Sequence, residues 1–285
     1  MKYQGKEANI DKEVVLHFGK EWAKYSYLDG LASDALDAQF RSYTNLINFG
    51  GFNKDIASAA DFGAGSGRWT ERIKQYFKVT YALEPSVDAA EVLNRKFSQD
   101  EKVRVINESI QTNSIEDGAL DFAMSLGVLH HIPDTQKAML DIAKKLKPGG
   151  TFLCYLYYKV EDKPIGYRLI FHFTNLIRLV ISRLPHFLRM FIAKVIAAVI
   201  YYPLARFAAF NLKRGKDVSN IPLHHYAEMP FIMLENDALD RFGTRLEQRF
   251  NKVEIATMLL KSGFELNTLR FSELEPFWTF SINLK

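Results

Sequence analysis

Cysteine is almost absent from this chain of 285 residues, and its single thiol, Cys154, excludes both a disulfide framework and a cysteine-rich metal site. Residues 1–18 are charged and lack the apolar core of a signal peptide. No uncharged apolar run reaches the roughly 18 residues that a spanning helix needs. We therefore expect a soluble, cytoplasmic protein, and no residue pattern predicts a metal ligand set.

Acidic residues are missing from one long segment. Residues 163–216 contain ten Lys or Arg and no Asp or Glu, within a chain whose formal net charge is +4. The rest of the chain is therefore net acidic, and one basic, apolar block lies inside it. The longer segment 159–245 is helical in pattern and is interrupted by Pro164, Pro185, Pro203, Pro222 and Pro230.

Strands and helices alternate over the middle of the chain. Between residues 57 and 158, short apolar runs alternate with segments whose apolar residues recur every three or four positions. This alternation predicts a parallel sheet with helices on both faces, and such sheets bind ligands at the carboxyl ends of their strands. Helices are expected before it at 12–25 and 33–49, and a helix at 246–264 with two strands after it.

The sequence DFGAGSG, residues 61–67, occupies the first strand-to-helix turn. Its three glycines can adopt backbone angles that other residues resist, and the helix that follows offers free N–H groups at its N-terminus. This arrangement predicts a nucleotide-like ligand. A nicotinamide-dinucleotide turn would have glycine where Arg68 stands, and the GK[ST] of a Walker loop is missing.

Acidic residues follow the next two strands. Glu84, in YALEPS, ends the second strand, where a carboxylate can accept both hydroxyls of a ribose. Glu108, in NESI, follows the third strand and is placed to bond an adenine amino group. The fourth strand runs into SLGVLHHIPD, and LKPGG precedes the fifth.

In these motifs and their order, residues 57–158 resemble the class I S-adenosylmethionine-dependent methyltransferases, particularly the ubiquinone and menaquinone methyltransferase branch. The resemblance implies an α/β, Rossmann-like fold, with a seven-stranded, mostly parallel sheet of order 3-2-1-4-5-7-6 and helices on both faces. It implies S-adenosylmethionine as the cofactor. It also implies in-line transfer of a methyl group to a small or lipid-like acceptor, anionic acceptors included.

This resemblance divides the chain into four expected segments. A helical cap spans 1–50, the cofactor-binding core spans 51–158, a helical insertion that covers the substrate spans 159–245, and a closing helix and hairpin span 246–285. An RNA-modifying methyltransferase and a non-catalytic protein that binds S-adenosylmethionine are the alternative functions.

The resemblance also implies which residues contact the cofactor. The glycine turn would hold the methionine part with help from its acid, Glu84 would take the ribose, the NESI segment the adenine, and the Leu126 carbonyl the methionine amino group. Two residues depart from the family pattern, since Glu108 stands where Asp is usual and Ser109 where Ala is usual. The full implied set is Asp61, Gly63, Ala64, Gly65, Gly67, Arg68, Glu84, Pro85, Ser86, Glu108, Ser109, Ile110 and Leu126.

Candidates for catalysis and acceptor binding are fewer. His130 and His131 follow the fourth strand, and either one can act as a proton acceptor near neutral pH or form the pocket floor. The charged stretch 237–250 is expected as a loop ahead of a helix, either satisfied by its own salt bridges or binding an anionic substrate through arginines. The candidate acceptor residues are Trp22, Tyr25, His224, His225, Tyr226, Arg241 and Arg245.

The basic, apolar block 163–216 has three interpretations. It can form a helical subdomain or a dimer contact with solvated cations, cover a pocket for a greasy anionic substrate, or lie on an anionic membrane surface at the inner face of the cell membrane. Nucleic acid is disfavoured as a partner, because the charges are too sparse for a phosphate track.

Overall fold

The computed structural model describes residues 9–26, 33–161, 164–218, 221–273 and 278–285. The chain forms two compact units. The core unit comprises residues 1–159 and 246–285, and the helical unit comprises Val160–Arg245.

A seven-stranded sheet forms the centre of the core unit, and its order, β3-β2-β1-β4-β5-β7-β6, confirms the prediction. The strands β1 to β5 pair in parallel, whereas β7 pairs antiparallel with both β5 and β6. The strands are β1 (Ser58–Phe62), β2 (Val79–Leu83), β3 (Val103–Ile106), β4 (Leu120–Leu126), β5 (Leu146–Leu156), β6 (Phe264–Phe271) and β7 (Trp278–Leu284). The carboxyl ends of β1, β2 and β4 thus meet at one edge, where the site is expected.

The helices of the core unit precede the first strand or connect the strands. They are α1 (Lys12–Tyr25), α2 (Ser33–Tyr43), α3 (Thr70–Ile73), α4 (Val87–Lys96), α5 (Thr135–Lys145) and α10 (Lys252–Lys261). The expected helix at 246–264 was wrong at its start, because Asn251 caps the helix. Its side chain accepts from the Glu254 N–H, and the Glu254 side chain accepts from the Asn251 N–H.

Strand burial explains why this sheet is stable. All five residues of β1 are buried, and β4 and β5 are buried over most of their length, as expected for parallel strands covered on both faces. Phe62 of β1, Phe152 of β5 and Phe264 of β6 are each fully buried. The expected fifth strand was too short: LKPGG belongs to β5, which starts at Leu146.

The helical unit contains α6 (Ile165–Ile181), α7 (His186–Ile196), α8 (Tyr202–Leu212) and α9 (Phe231–Gly243). Pro203 does not interrupt it, contrary to expectation, because a π-helical turn at Ala197–Tyr201 joins α7 to α8. This wider turn precedes the proline, whose ring would clash with a carbonyl in a regular α-helix. His186–Leu212 is therefore one helix of 27 residues, whose most apolar 18-residue window has a mean hydropathy of 1.7, and by length and composition it could cross a membrane.

The charged stretch 237–250 was expected to form a loop, and this prediction was wrong for its first half. Its first half belongs to α9, where Leu234, Ala238 and Phe242 recur every four residues and are buried. This spacing gives the segment the apolar face of a packed helix, and the charged residues occupy the remaining positions.

Gly67 provides a test of how tightly the first turn is packed. Gly67 has φ +76, and an added Cβ would lie 2.6 Å from the Phe97 ring and 2.7 Å from Leu93. Gly118 has φ +66 with no heavy atom of the described chain within 4 Å of such a Cβ. We expect Gly118→Ala to lower the free energy of unfolding by about 1–2 kcal/mol through backbone strain, and Gly67→Ala to lower it by about 1–3 kcal/mol more through overpacking.

Urea denaturation of the two variants measures this difference. Equal losses of unfolding free energy in Gly67→Ala and Gly118→Ala would contradict the close packing of the turn against Phe97 and Leu93.

Candidate functional site

The backbone of the turn that follows β1 has positive φ angles, which favour glycine. Gly63, Gly65 and Gly67 have φ values of +84, +57 and +76. The turn is tied to the neighbouring strand, because the N–H groups of Gly63 and Ala64 both donate to the Leu83 carbonyl at 2.9 and 3.0 Å. The main chain of the turn is thus fixed at the edge where β1 and β2 end.

Glu84 closes the turn from the end of β2. Its Oε2 accepts from the Gly65 N–H at 3.0 Å, and its Oε1 accepts from the Ser86 N–H at 2.9 Å. The side chain is buried, and this burial raises the pKa of Glu84 to about 7, although the two backbone hydrogen bonds oppose the shift. A carboxyl group is therefore held among backbone amides at the position predicted to contact a ribose.

Asp61 is the second buried carboxyl of the turn. Its Oδ2 accepts from the Thr70 hydroxyl at 2.7 Å, which links the end of β1 to the start of α3. Burial raises the pKa of Asp61 to about 7, the Thr70 hydrogen bond opposes this, and the neighbouring Glu84 adds to it. Two buried acids thus lie together at the turn, an environment that favours a cationic ligand.

The predicted adenine segment adjoins Glu84. The Asn107 side chain donates to the Glu84 carbonyl at 2.8 Å, and Ser109 and Ile110 are buried. Glu108 is more exposed, and its Oε2 accepts from the Ser114 N–H at 2.5 Å. Glu108 therefore stabilises the loop after β3 in this structure, and its contact with adenine stays a prediction.

The helix α1 lies over the glycine turn. A Cβ added at Gly65 would be 3.0 Å from the Trp22 ring, and the Arg68 guanidinium is 4.4 Å from that ring's centroid. A Cβ added at Gly19 would be 1.8 Å from the Ser86 hydroxyl, so only glycine permits this approach. Of the two α1 candidates, the structure brings Trp22 to the turn.

Tyr25 takes a different position on α1. It is fully buried, and its hydroxyl accepts from the Lys24 ammonium at 3.0 Å. These contacts describe a packing residue of the core unit, and a contact of Tyr25 with an acceptor stays a prediction.

Five aromatic or imidazole rings and one guanidinium gather at the carboxyl ends of β4 and β5. We call this group the acceptor wall, and its members are Tyr43, His130, His131, Tyr155, Tyr157 and Arg249. The His130 ring stacks on Tyr157 with centroids 3.9 Å apart, and Tyr43 stacks on Tyr155 at 5.4 Å. The Arg249 guanidinium lies 4.9 Å from the Tyr157 centroid. Sequence reasoning missed the three tyrosines and Arg249, although the alternation of Tyr155 and Tyr157 at a strand end was a usable signal.

The two histidines of the wall differ in their surroundings. The Nδ1 of His131 lies 2.7 Å from the Leu246 carbonyl oxygen, and since that oxygen can only accept, Nδ1 carries the hydrogen. The neutral ring then keeps its lone pair on Nε2. Burial, with the nearby His131 and Arg249, holds the pKa of His130 well below its usual value, so that His130 is neutral at neutral pH.

The remaining candidates belong to the helical unit, which is described here by itself. His224 Nδ1 donates to the Ile221 carbonyl at 3.0 Å, and the centroid of the exposed His225 ring lies 4.0 Å from that of Tyr226. The Tyr226 hydroxyl donates to Asp237, and the Arg241 guanidinium lies 5.0 Å from the Phe171 centroid. Each has partners inside its own unit. A role for these four residues, or for the exposed Arg245, in acceptor binding stays a prediction.

Residues 60–154, from β1 through most of β5, match the family model described as a methyltransferase domain. They contain the glycine turn, Glu84 and both histidines. The core unit contains a class I S-adenosylmethionine-dependent methyltransferase domain. This result confirms the predicted enzyme class and S-adenosylmethionine as the cofactor of the domain, and the ubiquinone and menaquinone branch stays a prediction.

Curated relatives of this methyltransferase domain share only part of the chain. A sterol 4-C-methyltransferase of Caenorhabditis elegans is 29% identical over 105 residues, which is 36% of this chain and 31% of that protein. A phosphoethanolamine N-methyltransferase of the same organism is 30% identical over 131 residues, which is 40% of this chain and 30% of that protein. The chain thus spans about a third of the length of these relatives.

A solved structure has the same fold. A possible histamine N-methyltransferase from Thermotoga maritima superposes with a TM-score of 0.51 at 15% identity, over 95% of this chain and all of that one. At this identity the likeness concerns the fold alone.

The residues of the methyltransferase domain fit S-adenosylmethionine, whose methionine part carries an ammonium and a sulfonium. The buried acids Asp61 and Glu84 supply negative charge, and added Cβ atoms would fill the space at Gly63 and Gly65, lying 2.5 Å from Val128 and 3.0 Å from Trp22. We infer that the cofactor lies along this turn, with Glu84 toward the ribose.

The raised pKa values predict pH-dependent cofactor binding. A cationic ligand favours the ionised carboxylates, and Asp61 and Glu84 ionise near pH 7. Affinity for S-adenosylhomocysteine, which keeps the ammonium, should therefore rise between pH 6 and pH 8, by about tenfold for each group that must ionise. Calorimetric titration at the two pH values measures the change.

Asp61→Asn and Glu84→Gln are the control variants. Neither replacement can ionise. Each variant should therefore lose the roughly tenfold change in affinity between pH 6 and pH 8 that its own carboxyl contributes. An affinity equal at pH 6 and pH 8 in the unmodified chain would contradict this assignment.

Proposed function

We propose that this protein transfers the methyl group of S-adenosylmethionine to an apolar or lipid-like acceptor that binds against the acceptor wall. The observation that supports it is the stack of His130 on Tyr157 with centroids 3.9 Å apart, beside the ends of β4 and β5. Parallel sheets bind their ligands at this edge, and the predicted cofactor residues lie at the same edge. Aromatic side chains contribute large apolar contact areas, which suit an apolar acceptor.

The guanidinium of the wall is held in an ion pair, which suits a neutral, apolar acceptor. Arg249 donates from Nε to Glu247 at 2.8 Å, and it also donates to the Tyr158 carbonyl at 3.1 Å. Both contacts hold the guanidinium at the ring of Tyr157. Because the Glu247 carboxylate compensates the guanidinium, the pair adds no net charge to the wall.

Methyl transfer from a sulfonium is an in-line displacement. The cofactor supplies the reactive methyl group, so the protein's main contribution is to align the acceptor atom with it and exclude water. Alignment of two reactants can contribute about 7–11 kcal/mol. The contacts of α1 with Gly65 and Ser86 exclude water from the turn, and the stacked rings of the wall restrict how an acceptor can lie.

His131 is the better of the two histidines for removing a proton from the acceptor. Its Nδ1–H is used by the Leu246 carbonyl, so the neutral ring has its lone pair on Nε2. The Phe18 ring of α1 lies 4.9 Å from the His131 ring and helps to fix its orientation. The strongly lowered pKa of His130 makes that residue a weak base, and we assign it to the wall.

The names of two relatives support a lipid-related acceptor. They name a sterol and phosphoethanolamine, and one of these is apolar while the other carries a phosphate. The shared segments cover 36% and 40% of this chain, so the names support a class of acceptor and no particular molecule.

The test is transfer of a labelled methyl group. The full chain is incubated with S-adenosylmethionine labelled in the methyl group and a total lipid extract, and label is counted after organic extraction. We expect label in the organic phase with the unmodified chain and none with Glu84→Ala. Label in added RNA and none in the organic phase would contradict the proposal.

Replacing His131 tests its role in proton transfer. His131→Asn keeps a side-chain N–H for the Leu246 carbonyl but removes Nε2, so kcat should fall about 10²–10⁴-fold, while the affinity for S-adenosylhomocysteine stays unchanged. The rate is measured on the acceptor found in the labelling experiment.

His130→Asn is the matched control, since it removes a ring from the wall without removing the assigned base. It should raise KM more than it lowers kcat. A kcat for His131→Asn within a few-fold of that of the unmodified chain would contradict the proton-transfer role.

A further inference from the structure

Along the long helix His186–Leu212, the buried residues are mostly alanines, and the exposed apolar residues are larger. Its buried residues recur every three or four positions and are Ala193, Ala197, Tyr201, Ala205 and Ala208. Its exposed apolar residues include Phe187, Phe191, Val195, Val199, Phe207 and Phe210, of which Phe187 and Phe191 are 65% and 66% exposed. A helix with this pattern packs on its own unit by its alanines and presents the larger side chains elsewhere.

The helix α6 has a second such face. Leu169, Phe173, Leu176 and Val180 recur every three or four residues and are 63–66% exposed. Arg178 and Ile181 are the buried residues of this helix, and Arg178 donates to the Thr244 carbonyl at 2.8 Å. Single exposed apolar residues are ordinary on a folded protein, but rows of them along two helices mark an interaction surface.

The exposed charge along these two helices is positive, and Asp217 is the first acid after them. The exposed cations along the two helices and just after them are Arg168, Arg183, Lys194, Lys213, Arg214 and Lys216. Between residues 164 and 216 there is no Asp or Glu. Apolar helix faces bordered by Lys and Arg are complementary to a bilayer of anionic phospholipids, which accepts the apolar side chains below its headgroups.

A second copy of the chain fits this surface less well. A two-fold symmetric interface places the same patch on both partners, so it would bring two sets of like charges together. An anionic lipid surface removes that repulsion and compensates the charge.

The helix His186–Leu212 is long enough to cross a membrane, but its contacts favour lying along one. Arg189 donates to the Gly243 carbonyl at 3.0 Å, and Arg206 donates to the Met229 carbonyl at 2.7 Å. The helix also packs along α9, which carries Glu235, Asp237 and Asp240. Crossing the bilayer would bring these acids into the hydrocarbon or separate α9 from the helix, and both are costly.

We propose that the helical unit docks on an anionic phospholipid membrane through the exposed faces of α6 and His186–Leu212, with both helices lying in the headgroup region. This surface belongs to the helical unit, whereas the predicted cofactor residues belong to the core unit, and the proposal does not depend on which acceptor is methylated. Its consequence is that the protein works at a membrane surface.

Vesicle co-sedimentation of the full chain tests the docking. Neutral vesicles contain phosphatidylcholine alone, and anionic vesicles contain phosphatidylcholine mixed with phosphatidylglycerol. We expect sedimentation with the anionic vesicles, weak sedimentation with the neutral ones, and release at high salt because salt screens the cations. Lys213→Glu with Lys216→Glu should weaken binding by at least about fivefold for each cation removed.

Phe173→Glu with Phe191→Glu tests the apolar faces, since both residues are exposed and their replacement leaves the interior of the helical unit unchanged. We expect this pair to abolish sedimentation. The matched control is Ile56→Glu with Val253→Glu, two residues of the core unit that are 70% and 74% exposed. Titration with S-adenosylhomocysteine shows in each variant that the core unit is folded, and circular dichroism reports the helices.

Three results would overturn the proposal. The first is no sedimentation of the unmodified chain with anionic vesicles, and the second is an equal loss in the control pair. The third is resistance of vesicle-bound protein to extraction by high salt and alkaline carbonate, which would mean that the helix crosses the bilayer.

Discussion

The two hydrogen bonds to the Glu84 carboxylate determine the shape of the cofactor site. They join the Gly65 N–H, in the turn after β1, to the Ser86 N–H, at the start of α4. The turn is also held by the Leu83 carbonyl, so β1 and β2 end in one rigid unit. Burial raises the pKa of Glu84 to about 7, so the charged form of this carboxyl is disfavoured in the turn until a positive charge approaches. A cationic cofactor stabilises the ionised form.

Three contacts of one helix connect this turn to the proposed place of methyl transfer. Along α1, Trp22 lies on Gly65, Gly19 lies against Ser86, and Phe18 lies against His131. The helix therefore touches the ends of β1, β2 and β4 at once. Cofactor binding and the orientation of His131 depend on the same helix, which explains how cofactor and acceptor sites can be closed to water together.

The sheet order could be predicted only through the resemblance of the motifs to a known family. The acids of the turn could be predicted because each stands at a strand end beside a glycine turn. The acceptor wall could not, since Tyr43 and Arg249 reach it from distant segments by tertiary packing. The path of the long helix across Pro203 escaped prediction for a local reason, because a π-helical turn has no clear sequence signal.

Calorimetric titration of the unmodified chain with S-adenosylhomocysteine, with NADH in a parallel run, tests the central claim most directly. The arrangement of the glycine turn, Glu84 and α1 predicts micromolar binding of S-adenosylhomocysteine and no binding of NADH. Binding of NADH, without binding of S-adenosylhomocysteine, would contradict it, and the assignments of the cofactor residues would then have to be abandoned.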